Sequence, residues 1–292
     1  MPAPPAPPCL PPRGRWLPLV DLALEEDIGP GDVTSRVSLE PETRGRARIE
    51  ARAELVACGL PIAAEVFRRV DAGIDFSALA GEGVATAGGA VLAEVTGPMR
   101  SILTAERTAL NFLGRMCGIA TLTARFVEAV RGTETAIVDT RKTLPGFRAL
   151  DKYAVAAGGG VNHRIGLFDG VLLKDNHVAA AGSVEAAVKA ALARTPANLR
   201  IQVEVESEAQ AEAAIEAGAE FLLLDNLAPD AIRPIVERFG SRAVLEASGG
   251  ISLENVRAYA ETGVHRVSIG ALTHSPRAAD VALEVTPGGV PG

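Results

Sequence analysis

The chain is poor in aromatic residues, cysteine and positive charge, and each shortage narrows what it can be. Aromatics make up 4% of its 292 residues, so the core is expected to be aliphatic and closely layered, built from Ala, Val, Leu and Gly. The three cysteines, Cys9, Cys58 and Cys117, form no Cys-x-x-Cys pair. That argues against a zinc knuckle or a disulfide framework and for a reduced, cytoplasmic setting. A net charge of −7 argues against a general nucleic-acid binder, which would carry a basic surface. No apolar run approaches the ~18 residues that would span a bilayer, so no membrane association is expected. The opening MPAPPAPPCLPPRGRW interrupts its apolar residues with proline. It is expected to be a disordered, polyproline-like tail over residues 1–16, and not a signal segment.

What the chain does have is 48% hydrophobic residues in two textures. From Leu17 to Gly97 the pattern is mixed. Helical spacing is expected over Pro18–Glu26 and Gly59–Val70, and strand alternation over Arg46–Ala51 and Ala90–Val95. Two helical stretches follow, Ile102–Met116 and Ile119–Val130, with Arg107 off the apolar stripe of the first. From Ala136 the chain repeats apolar strand, polar loop and alanine-rich helix. Strands are expected at Ala136–Asp139, Gly170–Leu173, Arg200–Val205, Phe221–Leu224, Ala243–Glu246 and Arg266–Ile269. The intervening helices include Val184–Ala193, Glu208–Ala217, Asp230–Phe239 and Leu253–Glu261. Continuous apolar strands alternating with helices imply right-handed crossovers in a parallel sheet. Six units without a Rossmann glycine fingerprint after the first strand favour an α/β barrel over an open sheet of six strands. The expected organisation is an α/β domain over 17–117, joined by an edge strand within 278–288, and a barrel over 118–277.

Polar residues stand at the carboxyl end of every barrel strand, the face on which barrels build their sites. These ends read Asp139-Thr140-Arg141-Lys142, Lys174-Asp175-Asn176, Glu204, Asp225-Asn226, Glu246-Ala247-Ser248-Gly249-Gly250 and Ser268-Ile269-Gly270-Ala271. Strand ends meet solvent, so one charged end would mean little; six carry more weight. The loops at Ser248-Gly249-Gly250 and Gly270, with Ser252 as an expected N-cap, suit a phosphate approached closely by backbone N–H groups. His274 either donates to the same phosphate or is an ordinary surface histidine. Glu204 and Asp225 suit a hydrated Mg²⁺, ribose hydroxyls, or plain pairing with Lys and Arg. Arg141, Lys142, His163, Arg164 and Lys174 gather positive charge in an acidic chain, as a small polyanion requires. Lys174 ends an apolar run and is expected in a largely buried cavity, where it needs an anionic partner. Arginine's planar fork suits carboxylates.

Several longer stretches carry a family resemblance. Glu106-Arg107-Thr108-Ala109-Leu110-Asn111, Thr140-Arg141-Lys142-Thr143, Lys152 to Val155 running on to Gly158–Arg164, and Leu173-Lys174-Asp175-Asn176-His177 together resemble the quinolinate phosphoribosyltransferases. The resemblance covers nearly the whole chain after the tail. It implies a type II phosphoribosyltransferase: an α/β fold with an incomplete α/β barrel and an amino-terminal α/β sandwich domain. It also implies a homodimer or dimer-based hexamer whose active sites are shared. The implied reaction joins quinolinate to phosphoribosyl pyrophosphate and releases CO₂ and pyrophosphate, giving nicotinate mononucleotide for NAD biosynthesis. By the same resemblance Arg141, His163, Arg164 and Lys174 surround quinolinate's carboxylates, and Arg107 is lent by a partner subunit. Lys142, Glu204, Asp225, Ser248, Gly249, Gly250, Gly270 and His274 surround phosphoribosyl pyrophosphate and its Mg²⁺, with Lys174, Glu204 and Asp225 taking part in catalysis. Two other readings are a transferase for a different heteroaromatic acid and a non-catalytic sensor of phosphorylated metabolites. Competition between quinolinate and nicotinate separates the first, and binding without turnover identifies the second.

Overall fold

The computed structural model describes residues 8–286. In chain order it begins with α1 (Leu17–Ile28), α2 (Val33–Ser38), β1 (Arg44–Ala51), β2 (Leu55–Val56) and α3 (Leu60–Val70). Then come β3 (Asp75–Ala78), β4 (Ala85–Thr86), β5 (Val91–Pro98) and the 31-residue α4 (Met99–Ala129). The middle holds β6 (Ala136–Val138), α5 (Arg148–Ala157), β7 (Val171–Leu173), α6 (Asp175–Ala181), α7 (Val184–Arg194) and β8 (Ile201–Val205). The last part holds α8 (Glu208–Glu216), β9 (Phe221–Asp225), α9 (Pro229–Phe239) and β10 (Val244–Ser248). It ends with α10 (Val256–Ala260), β11 (Arg266–Ser268), α11 (Ala271–His274) and β12 (Val281–Val285). These elements form two units.

The first unit comprises the chain up to Ala124, Thr143–Gly159 and the stretch from Ser275 onward. Its antiparallel sheet runs β12-β1-β5-β3. In β1, Ala47, Ile49 and Ala51 are fully buried while Arg44, Arg46 and Arg48 face outward, as period-two alternation requires. Strand β12 pairs antiparallel with β1, Leu283 opposite Ile49. Gly59 is the N-cap of helix α3, and Glu82 accepts from the N–H groups of Gly59 and Leu60 and from the Tyr153 hydroxyl at 2.7 Å. The carboxylate thus satisfies donors that the first turn leaves over.

Three sequence expectations change in this unit. The two helices expected over 102–130 are one, α4, with Gly118 inside it. A Cβ at Gly118 would lie 2.1 Å from the Arg277 carbonyl oxygen, so glycine lets the returning chain cross the helix. Alongside, Ala279 N–H donates to the Gly114 carbonyl at 2.8 Å. The segment 143–159, read as part of the barrel, packs in this unit: Arg115 of α4 holds the fully buried Asp151 of α5 by two bonds of 2.9 and 2.8 Å. The proline-rich tail is ordered before Leu17. Residues Arg13–Arg15 form a 3-10 turn and Trp16 is buried, its indole N–H donating to the Pro11 carbonyl. The indole is apolar enough to be drawn into the core and has a donor to satisfy there. Residues 1–7 of the expected tail lie outside the described residues.

The second unit, Arg125–Lys142 with Gly160–His274, holds the six-stranded parallel sheet β6-β11-β10-β9-β8-β7. Neighbours from β7 to β11 follow chain order without reversal, and β6 then closes onto β11. A doubly wound sheet would reverse direction at its switch point. This cyclic order is that of a barrel, and it is incomplete because β6 and β7 are the two edges. The helix expected over 253–261 shortens to α10; Ser252 does not cap it, and Asn255 Oδ1 instead accepts from the Ser252 N–H at 2.8 Å. Among the described residues no helix is long and apolar enough to cross a membrane.

Candidate active site

Parallel register sets the depth of every side chain in the barrel mouth. Glu204 of β8 is level with Leu223 of β9, and Leu223 with Glu246 of β10. One layer nearer the carboxyl ends, Asp225, Ser248 and Ser268 are level with one another. Residues two apart face the same side of a strand, so both layers point into one cavity of about 570 Å³. The cavity is also lined by Thr140, Arg141, Lys142, His163, Arg164, Lys174, Asn226, Gly249 and Gly250.

The basic side chains are fixed in different ways. Asp139, fully buried at the end of β6, accepts from the His163 N–H at 2.8 Å and so holds the 160s segment against that strand. The Arg164 N–H donates to His163 Nδ1 at 2.8 Å, and His163 Nε2 lies 2.8 Å from Gln202 Oε1. A backbone N–H only donates, so Nδ1 is the accepting nitrogen and Nε2 carries the hydrogen given to Gln202. Arg164 Nη1 donates to the Gly170 carbonyl at 2.8 Å, while its buried Nε has no acceptor. Burial, and then the neighbouring Arg141 charge, push the Arg164 guanidinium below its usual value. Two arginines held near each other in a partly desolvated wall are suited to an anion with two acceptor oxygens.

Lys174 departs from expectation. Its side chain is 49% exposed, because β7 is an edge strand and its end opens to solvent. Its ammonium contacts Glu204 Oε2 at 3.1 Å, so its anionic partner is a protein carboxylate. Asp225 accepts from Asn226 Nδ2 at 2.6 Å. Asn226 has φ of 55°, a left-handed conformation that asparagine tolerates.

The glycine loop is built by necessity at Gly249. Its φ is +100°, and a Cβ there would stand 2.1 Å from Asn226 Oδ1. Gly270 and His274 do not line the cavity; a Cβ on Gly270 would meet His274 Cδ2 at 3.0 Å and Lys142 Cδ at 3.1 Å. Gly270 thus gives room to the Lys142 stem, and Thr273 fixes that loop by donating to the Lys142 carbonyl at 2.8 Å. Arg107 stands exposed on α4 and is not among the lining residues. Glu246, Gln202 and Asp139 received no role from sequence. Glu246 was read as a strand end, but β10 continues to Ser248, which puts Glu246 one layer deeper.

Known proteins share this architecture. The quinolinate phosphoribosyl transferase N-terminal domain family matches residues 32–117, and the corresponding C-terminal domain family matches 119–284. The chain is 45% identical over 269 residues to the nicotinate-nucleotide pyrophosphorylase (carboxylating) of Mycobacterium leprae, covering 90% of this chain and 94% of that one. It is 42% identical over 261 residues to a probable enzyme of the same name from Bacillus subtilis, covering 89% and 90%. The solved nicotinate-nucleotide pyrophosphorylase of Francisella tularensis superposes with a TM-score of 0.90 at 39% identity, covering 94% of this chain and 97% of that one. With both domains matched in order and the cationic barrel mouth in place, the chain belongs to the quinolinate phosphoribosyltransferase family.

Proposed function

We infer that the chain is a pentosyltransferase moving the phosphoribosyl group of phosphoribosyl pyrophosphate onto the ring nitrogen of quinolinate. One carboxylate leaves as CO₂, and nicotinate mononucleotide and pyrophosphate are the other products, which places the reaction in NAD biosynthesis. One observation carries the reading beyond family membership. Arg141, His163, Arg164 and Lys174 line the same cavity as Lys142, Glu204, Asp225 and the Ser248–Gly250 loop. A dicarboxylate and a pyrophosphate ester therefore have separate cationic or N–H-rich walls within one enclosure.

In this reading Arg141 and Arg164 grip the two carboxylates and orient the pyridine nitrogen, which is itself the nucleophile. His163 presents a fixed edge, and Lys174, held by Glu204, adds charge at the open side. Lys142 and the N–H groups of Gly249 and Gly250 hold the phosphates, with Gly270 and His274 shaping that wall through the Lys142 stem. Glu204 and Asp225 face the ribose, where a carboxylate offsets positive charge growing at the anomeric carbon. Among the described residues no three His, Cys, Asp or Glu side chains are grouped to hold a metal. Two carboxylates in a phosphate site nevertheless fit Mg²⁺, which keeps water and substrate phosphate oxygens as its other ligands. Bound at Glu204 and Asp225, Mg²⁺ would supply charge neutralisation for pyrophosphate.

Purified protein given quinolinate, phosphoribosyl pyrophosphate and Mg²⁺ is expected to form nicotinate mononucleotide and CO₂ in equal amounts. EDTA is expected to abolish turnover, and nicotinate to replace quinolinate at least ~100-fold less well, since a monoacid leaves one arginine without an anion. A folded sample making neither product would sink the assignment.

Arg107 is exposed on α4, and we read the working form as a homodimer or dimer-based hexamer in which a partner subunit lends that arginine. Mixing inactive Arg107→Ala with inactive Lys174→Ala should restore activity, to at most about a quarter of wild type if chains pair at random. No recovery after demonstrated subunit exchange counts against sharing. The free thiols of Cys9, Cys58 and Cys117 support a cytoplasmic setting.

A further inference from the structure

Of the three carboxylates in the cavity wall, Glu204, Asp225 and Glu246, only Glu246 is left unused by the reaction above. It is 1% exposed, and neither carboxylate oxygen accepts a hydrogen bond. His163 Nε2 lies 3.7 Å from Oε1, beyond hydrogen-bond range, and gives its hydrogen to Gln202. The cavity's other carboxylates each accept a hydrogen bond, Glu204 from Lys174 and Asp225 from Asn226. A buried carboxylate without a donor is costly to the fold, and such cost is found where function requires it.

We propose that Glu246 is a catalytic group that stabilises the positive charge appearing on the pyridine ring as its nitrogen bonds the anomeric carbon. The proposal rests on the reading of this cavity as the quinolinate site. Free quinolinate is a dianion, so a fixed carboxylate in the floor opposes its binding. When the nitrogen lone pair forms the N–C bond and the C–O bond to pyrophosphate breaks, the ring becomes cationic and the same carboxylate attracts it. The ring–carboxyl bond can then break, its electron pair remaining on the ring carbon beside the cationic nitrogen and later taking up a proton from water. Glu246 thus distinguishes transition state from ground state, which is what acceleration requires.

The test compares wild type with Glu246→Gln, which keeps shape and removes charge. Quinolinate Kd is measured by calorimetry, turnover by product formation, and stability by thermal melting. The expected result is a kcat lower by about 100-fold or more, a quinolinate Kd tighter by at least threefold, and a Tm no lower than wild type. A kcat within threefold of wild type overturns the proposal. So does a weakened quinolinate Kd, which would make Glu246 a binding group, and so does a variant that unfolds, since an unpartnered carboxylate does not hold a fold together. Wild-type turnover in the same assay tests the quinolinate reading by itself: its absence removes that reading, whereas its presence beside an unaffected Glu246→Gln removes only this one.

Discussion

Arg164→Ala is expected to lower kcat/KM for quinolinate by roughly 30- to 3,000-fold, while the Kd for phosphoribosyl pyrophosphate stays within about threefold of wild type. The size follows from burial. Arg164 is anchored to the Gly170 carbonyl through Nη1, and its buried Nε has no acceptor. A carboxylate bound there would complete its hydrogen bonding, and removing the guanidinium leaves that carboxylate desolvated without a partner. Arg164→Lys should recover little, because an ammonium on a flexible stem cannot bond Gly170 and fork onto a carboxylate together. Steady-state kinetics in each substrate, with calorimetry for phosphoribosyl pyrophosphate, decide the matter. An equal loss toward both substrates would remove Arg164 from the dicarboxylate clamp.

The largest effect on stability is expected from Arg115→Met. Asp151 is fully buried and Arg115 is 17% exposed, so the pair is largely out of water. The Arg115 guanidinium also lies over the Phe147 ring, which stacks on Phe112 at 5.4 Å. Removing the arginine leaves a buried carboxylate uncompensated, a cost of about 3–5 kcal/mol, equivalent to a Tm lower by roughly 6–20 °C. Arg115→Met with Asp151→Leu should regain most of this, because the expensive state is the unpaired charge. The pH dependence has a definite sign. Burial holds the Asp151 carboxyl above its ordinary value of 3.8, with Arg115 opposing that rise. The native state therefore keeps a proton that the unfolded chain releases, and this contribution is full below 3.8 and lost as pH rises through the native value. Without Arg115 the rise is unopposed, so the variant's deficit should shrink on going from pH 7 toward pH 4. Urea melts at both pH values test this; a deficit independent of pH would mean that Asp151 is not the group left exposed to the loss.

The sequence determined the repeating part of the molecule. Apolar runs separated by alanine-rich helices fixed six parallel strands, because buried strands must be apolar and the hydrogen-bonding backbone must be satisfied in register. Polar residues after those runs pointed to the barrel's carboxyl face, and Arg141, Lys142, Glu204, Asp225 and Ser248–Gly250 line one cavity together with His163 and Arg164. Alternation in Val281–Val285 was enough to expect an edge strand joining the amino-terminal domain, since an edge needs a partner; that the partner is β1 is seen only in the structure.

Only the tertiary structure decided what depends on distant neighbours. Gly118 looked like a helix boundary, because the sequence does not contain the chain that crosses there at Arg277. Lys174 looked buried, because local hydrophobicity does not say that its strand lies at a sheet edge. Glu246 looked like a rim residue among others, and its depth is set by register with Leu223 and by a strand two residues longer than its apolar run. Hydrophobic pattern reports which residues leave water; which charges then face one another is decided by the register and closure of the sheet, and that is where the chemistry of this barrel mouth resides.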